Sequence, residues 1–265
     1  MAFYKSSASL LAITVVSACG GASNTVLPVF AGPDLITTAD YVGKTFPLRF
    51  VGANASTAEL HRGTGTITVV GPSALQITID GVSGDLIEFG SGSFGGSVFD
   101  GELEEYADEL ISIQVSGTSD EYLTFLGFET DPSVMPASDS ALFLGNGTST
   151  IYISNGALID TLDGSVVLNV DFGTGNVTGD LFSTVSAVFE LRNGMVSGNG
   201  FSGEVQVLFS NGSGGFDETP TSNSDVDGVF FGNDASLVAG TFEATYEDGL
   251  TYSAVGAFAS ELVPP

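Results

Sequence analysis

Three groups of residues in this chain have the type and spacing to do chemistry, and the first is a single thiol. Cys19 is the only cysteine, and it closes the run Val16-Ser17-Ala18-Cys19. Ahead of it stand one cation, Lys5, and an apolar stretch, Leu10 to Val16. A positive start, an apolar core of about 7–15 residues and small residues at the cut are the parts of a secretion signal. With cysteine just after the cut, they form a lipobox, where lipid is attached to the thiol and the chain is cleaved before it. The expectation is a signal peptide over 1–18 and a mature chain beginning at Cys19. The apolar run falls short of the roughly 20 residues of a spanning helix. Stable anchoring takes more than one acyl chain, each buried methylene contributing about 0.8 kcal/mol.

The second group is acidic. In Asn223-Ser224-Asp225-Val226-Asp227-Gly228, oxygen donors alternate and a glycine permits a sharp bend, with Asp234 where a closing acid would fall. That is the opening half of a calcium loop, with Asn223, Asp225, Asp227 and Asp234 as metal ligands. The usual closing residue is Glu, and the flanks read as strand. The alternative is a plain acidic hairpin. The third candidate is His61, the sole histidine, beside Arg62. Histidine is an axial heme ligand elsewhere, although a lone one is more often a surface or turn residue. No Ser-His-Asp set or Cys/His zinc cluster assembles around it. The run Gly90-Ser91-Gly92-Ser93-Phe94-Gly95-Gly96 lacks the Lys-Ser/Thr ending of a phosphate loop and reads as a flexible loop. No catalytic residues are assigned, and the cofactor expectation is none, with Ca²⁺ and heme as the two candidates to test.

The elements that must position these residues are strands. The chain has 265 residues, 43% hydrophobic and only 14% charged, with 36 glycines and no tryptophan. Low charge with plentiful Gly, Val, Thr and Phe favours short strands and tight turns. A net charge of −27 repels phosphate backbones and anionic lipid headgroups. Nucleic acid is therefore excluded as a partner class, and membrane attachment must come from acyl chains. One cysteine allows no intramolecular disulfide.

Residues 19–33 read as a tether. Thr64–Val70 and Ala74–Asp80 alternate polar and apolar positions around Gly71-Pro72-Ser73, which predicts a hairpin. Glu109–Val115 and Tyr122–Phe128 predict a second pair, and the acidic span Phe99–Leu110 reads as a loop or short helix. Pro132 and Pro136 break the pattern, dividing a domain over 34–133 from one over 134–265. In the second, Val166, Leu168, Val170 and Phe172 share a face, as do Ala187, Phe189 and Leu191, then Val205, Val207 and Phe209. Asn193-Gly194 is a strong hairpin-turn signal. Phe242, Ala244 and Tyr246 and then Tyr252, Ala254, Gly256 and Phe258 complete the series. The prediction is an up-and-down antiparallel barrel of about eight strands, which leaves no open edges. Asn169, Asp171, Glu190, Glu243 and Glu247 fall on its outer face, which argues against a barrel embedded in lipid.

Gly228-Val229-Phe230-Phe231-Gly232-Asn233-Asp234-Ala235-Ser236-Leu237-Val238-Ala239-Gly240-Thr241-Phe242 resembles the late hairpin of the β-barrel in the transferrin-binding protein B superfamily of surface lipoproteins. Asp171–Gly179 is similar to its earlier hairpin, Asn199–Gly203 to a third, and Phe128–Pro132 with Met135-Pro136 to the lead-in. The pieces occur in order over roughly half the chain. The phenylalanines among them, Phe230, Phe231 and Phe242, read as core or barrel-mouth residues. The resemblance implies an all-β protein, with a β-rich handle-like N-terminal domain followed by a small barrel. It also implies an outer-membrane, surface-exposed lipoprotein held by acyl chains on Cys19. Members bind transferrin or, in relatives such as the hemophilins, heme. Transferrin itself is not carried over, because full receptors have two handle–barrel lobes and this chain has room for one. The expected function is non-catalytic capture of an extracellular protein or solute by a monomer, in iron or heme acquisition. The alternative is a structural or adhesive lipoprotein without a small-molecule ligand.

Overall fold

The computed structural model describes residues 42–264 except 55, 91–92, 108–109, 118–119 and 154–157. Cys19, the signal segment and the tether lie outside the described residues. Every regular element described is a strand, and the strands form two closed antiparallel barrels.

The first barrel comprises β1 (Thr45–Asn54), β2 (Leu60–Gly71), β3 (Ala74–Ile79), β4 (Val82–Gly90), β5 (Ser93–Gly95), β6 (Asp100–Ala107), β7 (Leu110–Ser116) and β8 (Asp120–Gly127). Neighbours in sequence pair in space, and β1 with β8 closes the ring. The expected hairpin is β2–β3, in a register that sets Ile67 opposite Ile77 and Val69 opposite Leu75. All four are fully buried. The second expected pair is β7–β8. The N-terminal domain is thus β-rich, and it closes into a barrel of its own. Within Phe99–Leu110, Asp100–Ala107 form the strand β6 rather than a loop or helix. Phe99 and Leu103 are buried and Glu102 is exposed, so the period is two, with Gly101 holding the inward place between them.

The second barrel comprises β9 (Ser140–Ile153), β10 (Leu158–Asp171), β11 (Asn176–Ser183), β12 (Ala187–Ser197), β13 (Gly200–Ser210), β15 (Thr221–Phe231), β16 (Leu237–Glu247) and β17 (Thr251–Leu262). The short β14 (Phe216–Glu218) rides on β13. The ring runs β12-β11-β10-β9-β17-β16-β15-β13 and closes through β12–β13. This is the up-and-down barrel that the alternating residues predict. Asn193-Gly194 does not turn the chain: β12 continues through it, and the reversal comes at Gly198-Asn199. Asn193 has φ +53° and the pairing slips between Arg192 and Met195, so the dipeptide forms a bulge. The left-handed backbone that makes Asn-Gly a turn signal serves a bulge equally well.

Eight strands leave an interior that side chains can fill, and here they do. Phe143, Phe182, Phe189, Phe230, Phe242 and Phe258 are fully buried in the second barrel. A pairing device makes room for the largest of them. Phe242 lies opposite Gly256, Phe258 opposite Gly240, and Phe201 opposite Gly228. A Cβ on Gly240 would stand 2.7 Å from Phe258 Cζ, and one on Gly256 or Gly228 would fall within the facing ring. Each ring covers a bare stretch of the neighbouring strand. Aromatic cover of this kind also offsets what a strand loses by carrying glycine.

Candidate functional site

With both interiors occupied by their own side chains, the surfaces left for chemistry or recognition are the junction between the barrels and the outer loops. The junction is built from outward-facing residues. Val51, Ala53 and Leu123 of the first barrel pack on Val255 and Ala257 of the second. Leu110 packs with Val229, Phe231, Leu237, Ala239 and Ala259. Alanines on the outer faces of β16 and β17 let two closed walls approach. The chain between the barrels is held too. Thr130 N donates to Phe230 O (2.9 Å), Gly232 N to Phe128 O (3.0 Å), and Thr130 Oγ1 to Gly232 O (2.8 Å).

Polar residues flank this apolar contact. Arg49 Nη1 meets Asp227 Oδ1 at 3.4 Å. Arg62 Nε faces Asp225 Oδ2 at 3.5 Å and Glu243 Oε1 at 3.6 Å, while its Nη2 donates to the Asp225 carbonyl at 3.0 Å. The β13–β15 ladder ends at Gly203↔Val226, so Arg62 engages the strand immediately past its last pair. Burial raises the Glu243 carboxyl above its ordinary range; Arg62 pulls it down and Asp225 pushes it up. A shallow cleft beside Arg49 is lined by Pro47, Phe125, Glu129, Val229 and Thr241 among others.

The candidate calcium ligands are placed by this geometry. Asn223, Asp225 and Asp227 sit at alternate positions of the strand β15, not in a loop. The pairing of β15 slips between Ser222 and Asp225, and Asn223 has φ +45°, so Asn223 stands at a bulge rather than in the regular ladder. Asp225 and Asp227 face arginines. Asp234 lies in the turn after β15, where its Oδ1 accepts from Ser236 N at 3.2 Å. Among the described residues, no group of three His, Cys, Asp or Glu side chains is arranged to hold a metal.

His61 points into the first barrel. It packs edge-on against Tyr122 (5.3 Å between centroids), which packs against Phe50 (5.2 Å). Gly52 makes this possible: a Cβ there would stand 2.7 Å from His61 Nε2 and 2.9 Å from Tyr122 Cδ1. The Nε2 atom is buried without a hydrogen-bond partner. Burial raises the Tyr122 phenol pKa, with Asp120 and Asp80 adding to it.

The outer loops at one end of the second barrel form the other candidate surface. The opposite end carries the 198–199 and 232–236 turns and receives the inter-barrel chain. Among the described residues, the other end carries 184–186, 211–220 and 248–250 and makes no contact with the first barrel's strands. Val185 is 91% exposed, Leu250 57% and Phe216 40%. Beneath them Tyr246 stacks on Tyr252 at 5.2 Å and contacts Phe209 at 5.5 Å. Burial, then Tyr252 and Asp248, raises the Tyr246 phenol pKa strongly, so it remains neutral. The residues that sequence reasoning missed are the junction arginines. Scarcity was a signal for the arginines: Arg49 and Arg62 are two of only five Lys and Arg in the chain.

Residues 135–261 match the family of C-lobe and N-lobe beta barrels of Tf-binding protein B. No curated protein sequence matches the chain. Among solved structures, a point mutant of the vaccine antigen Transferrin Binding Protein B from Haemophilus parasuis Hp5 is 17% identical. The match covers 82% of this chain and 45% of that one, with a TM-score of 0.53. The isotype 1 Transferrin binding protein B from serogroup B Neisseria meningitidis is 15% identical over 82% of this chain and 43% of that one, with a TM-score of 0.52. The chain thus spans less than half the length of these structures. The shared property is the fold: this protein has a transferrin-binding protein B-like β-barrel.

Proposed function

We propose that this protein is a non-catalytic surface lipoprotein of the outer membrane, anchored through Cys19, that binds an extracellular protein with the outer surfaces of its barrels. One observation carries the reading: the second barrel is filled by its own aromatic side chains, so a ligand is met on the outside. The transferrin-binding protein B-like fold supports it, because the two similar solved proteins are by name binders of a protein. A role in iron or heme acquisition would come through capture of an iron- or heme-bearing protein, not through heme held inside a barrel. Transferrin is not assigned as the partner.

The test uses mature protein lacking residues 1–18, immobilised and offered fluid from the organism's surroundings. The captured protein is then purified and titrated back. Saturable binding by a monomer supports the reading. If nothing binds saturably while a deletion strain loses adhesion, the protein is structural. Acyl labelling lost in Cys19→Ala checks the anchor.

A further inference from the structure

Resting on that binding reading, we propose that the free mouth of the second barrel is the docking surface, and that its occupant is a Lys/Arg-rich protein segment carrying exposed apolar side chains. Three loops place an apolar side chain at this one end: Val185, Phe216 and Leu250. The loops are neighbours along the rim. Ser210 N donates to Ser186 O (2.9 Å), β14 pairs with the end of β13, and Glu247 N donates to Pro220 O (3.1 Å). At this end β13 pairs with β14 and β15 with β16, so the tips ride on one continuous rim of a single eight-stranded barrel.

The chemistry of the rim selects the occupant. Asp217, Glu218, Glu247 and Asp248 are all exposed beside the apolar tips. Arg192 is the sole Lys or Arg beyond Arg62. It is already engaged by Glu190 (2.6 Å) and Glu218 (3.1 Å). The mouth therefore presents apolar contacts within a field of negative charge, and a basic partner is steered toward it. A second copy would appose acid to acid, and an anionic lipid surface would be repelled.

The probe is a phage-displayed library of random short peptides, panned at physiological salt against the mature protein and against the triple variant Val185→Ser, Phe216→Ser, Leu250→Ser. The three sites are exposed, so the variant should keep the parent's circular dichroism and melting temperature. The expected result is enrichment of peptides mixing Lys/Arg with apolar residues. Their affinity should fall at least about tenfold on the triple variant, and with added salt. Enriched peptides without basic residues, or equal binding to the variant, would overturn the docking surface while leaving the binding reading standing. Self-association or liposome binding that disappears in the variant would also overturn the assigned occupant. No enrichment of any peptide on the parent would overturn the docking surface, while the capture experiment above decides the binding reading by itself.

Discussion

The two barrels share strand number and topology but fill their interiors differently. The first relies mainly on aliphatic residues, with Leu48, Ile67, Val69, Leu75, Ile77 and Leu86 fully buried. It too seats rings against glycines: a Cβ would stand 2.5 Å from Phe50 at Gly63, 2.8 Å from Phe99 at Gly84 and 2.9 Å from Tyr122 at Gly52. The second fills its centre with phenylalanines laid over Gly228, Gly240 and Gly256. Its strands are longer, reaching 14 residues in β9 and β10 against at most 12 in the first. Closure therefore does not dictate one kind of core. The first fills most of its interior with interdigitated aliphatic side chains, whereas the second sets three central rings, Phe201, Phe242 and Phe258, directly opposite glycines on the neighbouring strand.

The comparison is broken most severely by Phe242→Ala. It should destabilise the second barrel by about 3–5 kcal/mol, against about 0.5–1.5 for Ile77→Val in the first. Thermal and denaturant unfolding of each variant measure both effects; equal small shifts would mean the ring is not central. Next comes Gly256→Val, which fills the space the Phe242 ring occupies and should cost about 1–3 kcal/mol by overpacking. A variant as stable as the parent would end the ring-over-glycine account.

Arg62→Ala tests what joins the barrels rather than what fills them. It leaves Asp225 and Glu243 facing each other with no guanidinium between, and a loss on the order of 1 kcal/mol is expected. Faster proteolysis between the barrels, around residues 128–139, reads this out.

Smaller effects come with pH, and their signs differ between sites. The Glu243 carboxyl is raised above 4.5, chiefly by burial. Its contribution is therefore fully present below 4.5 and is lost as pH rises through the raised value. Glu243→Gln should flatten this part of a melting-temperature profile. Asp171 is the opposite case. Its Oδ1 accepts from Thr174 N and Gly173 N, and these bonds lower its pKa below 3.8. That contribution is present above 3.8 and lost as pH falls through the lowered value. Asp171→Ala should show the smallest change of the series, confined to the β10–β11 turn.

Much of the fold was legible because its signals are local. Val166, Leu168 and Val170 alternate visibly, and so do Ile67 and Val69 with Ile77 and Leu75. The misreadings have physical causes. Asn193-Gly194 carries turn chemistry that a bulge also uses. Glu102 and its acidic neighbours hide the two-residue period of β6. The junction was harder, since it depends on which outer faces meet. The clue was there in β17, where Ala257 and Ala259 stand on the outer face and Ser253 through Ser260 are buried without alternation. The alternate acids of β15 were read as cation ligands. Two of them do meet positive charge, but it comes from Arg49 and Arg62 across the junction.

The most direct test of a filled barrel that binds from outside is a hemin titration of the mature protein, followed at the Soret band. The account predicts a spectrum that is the sum of free hemin and protein at every ratio. A saturable Soret shift at one heme per chain would show an interior or cleft that takes a cofactor, and would contradict it.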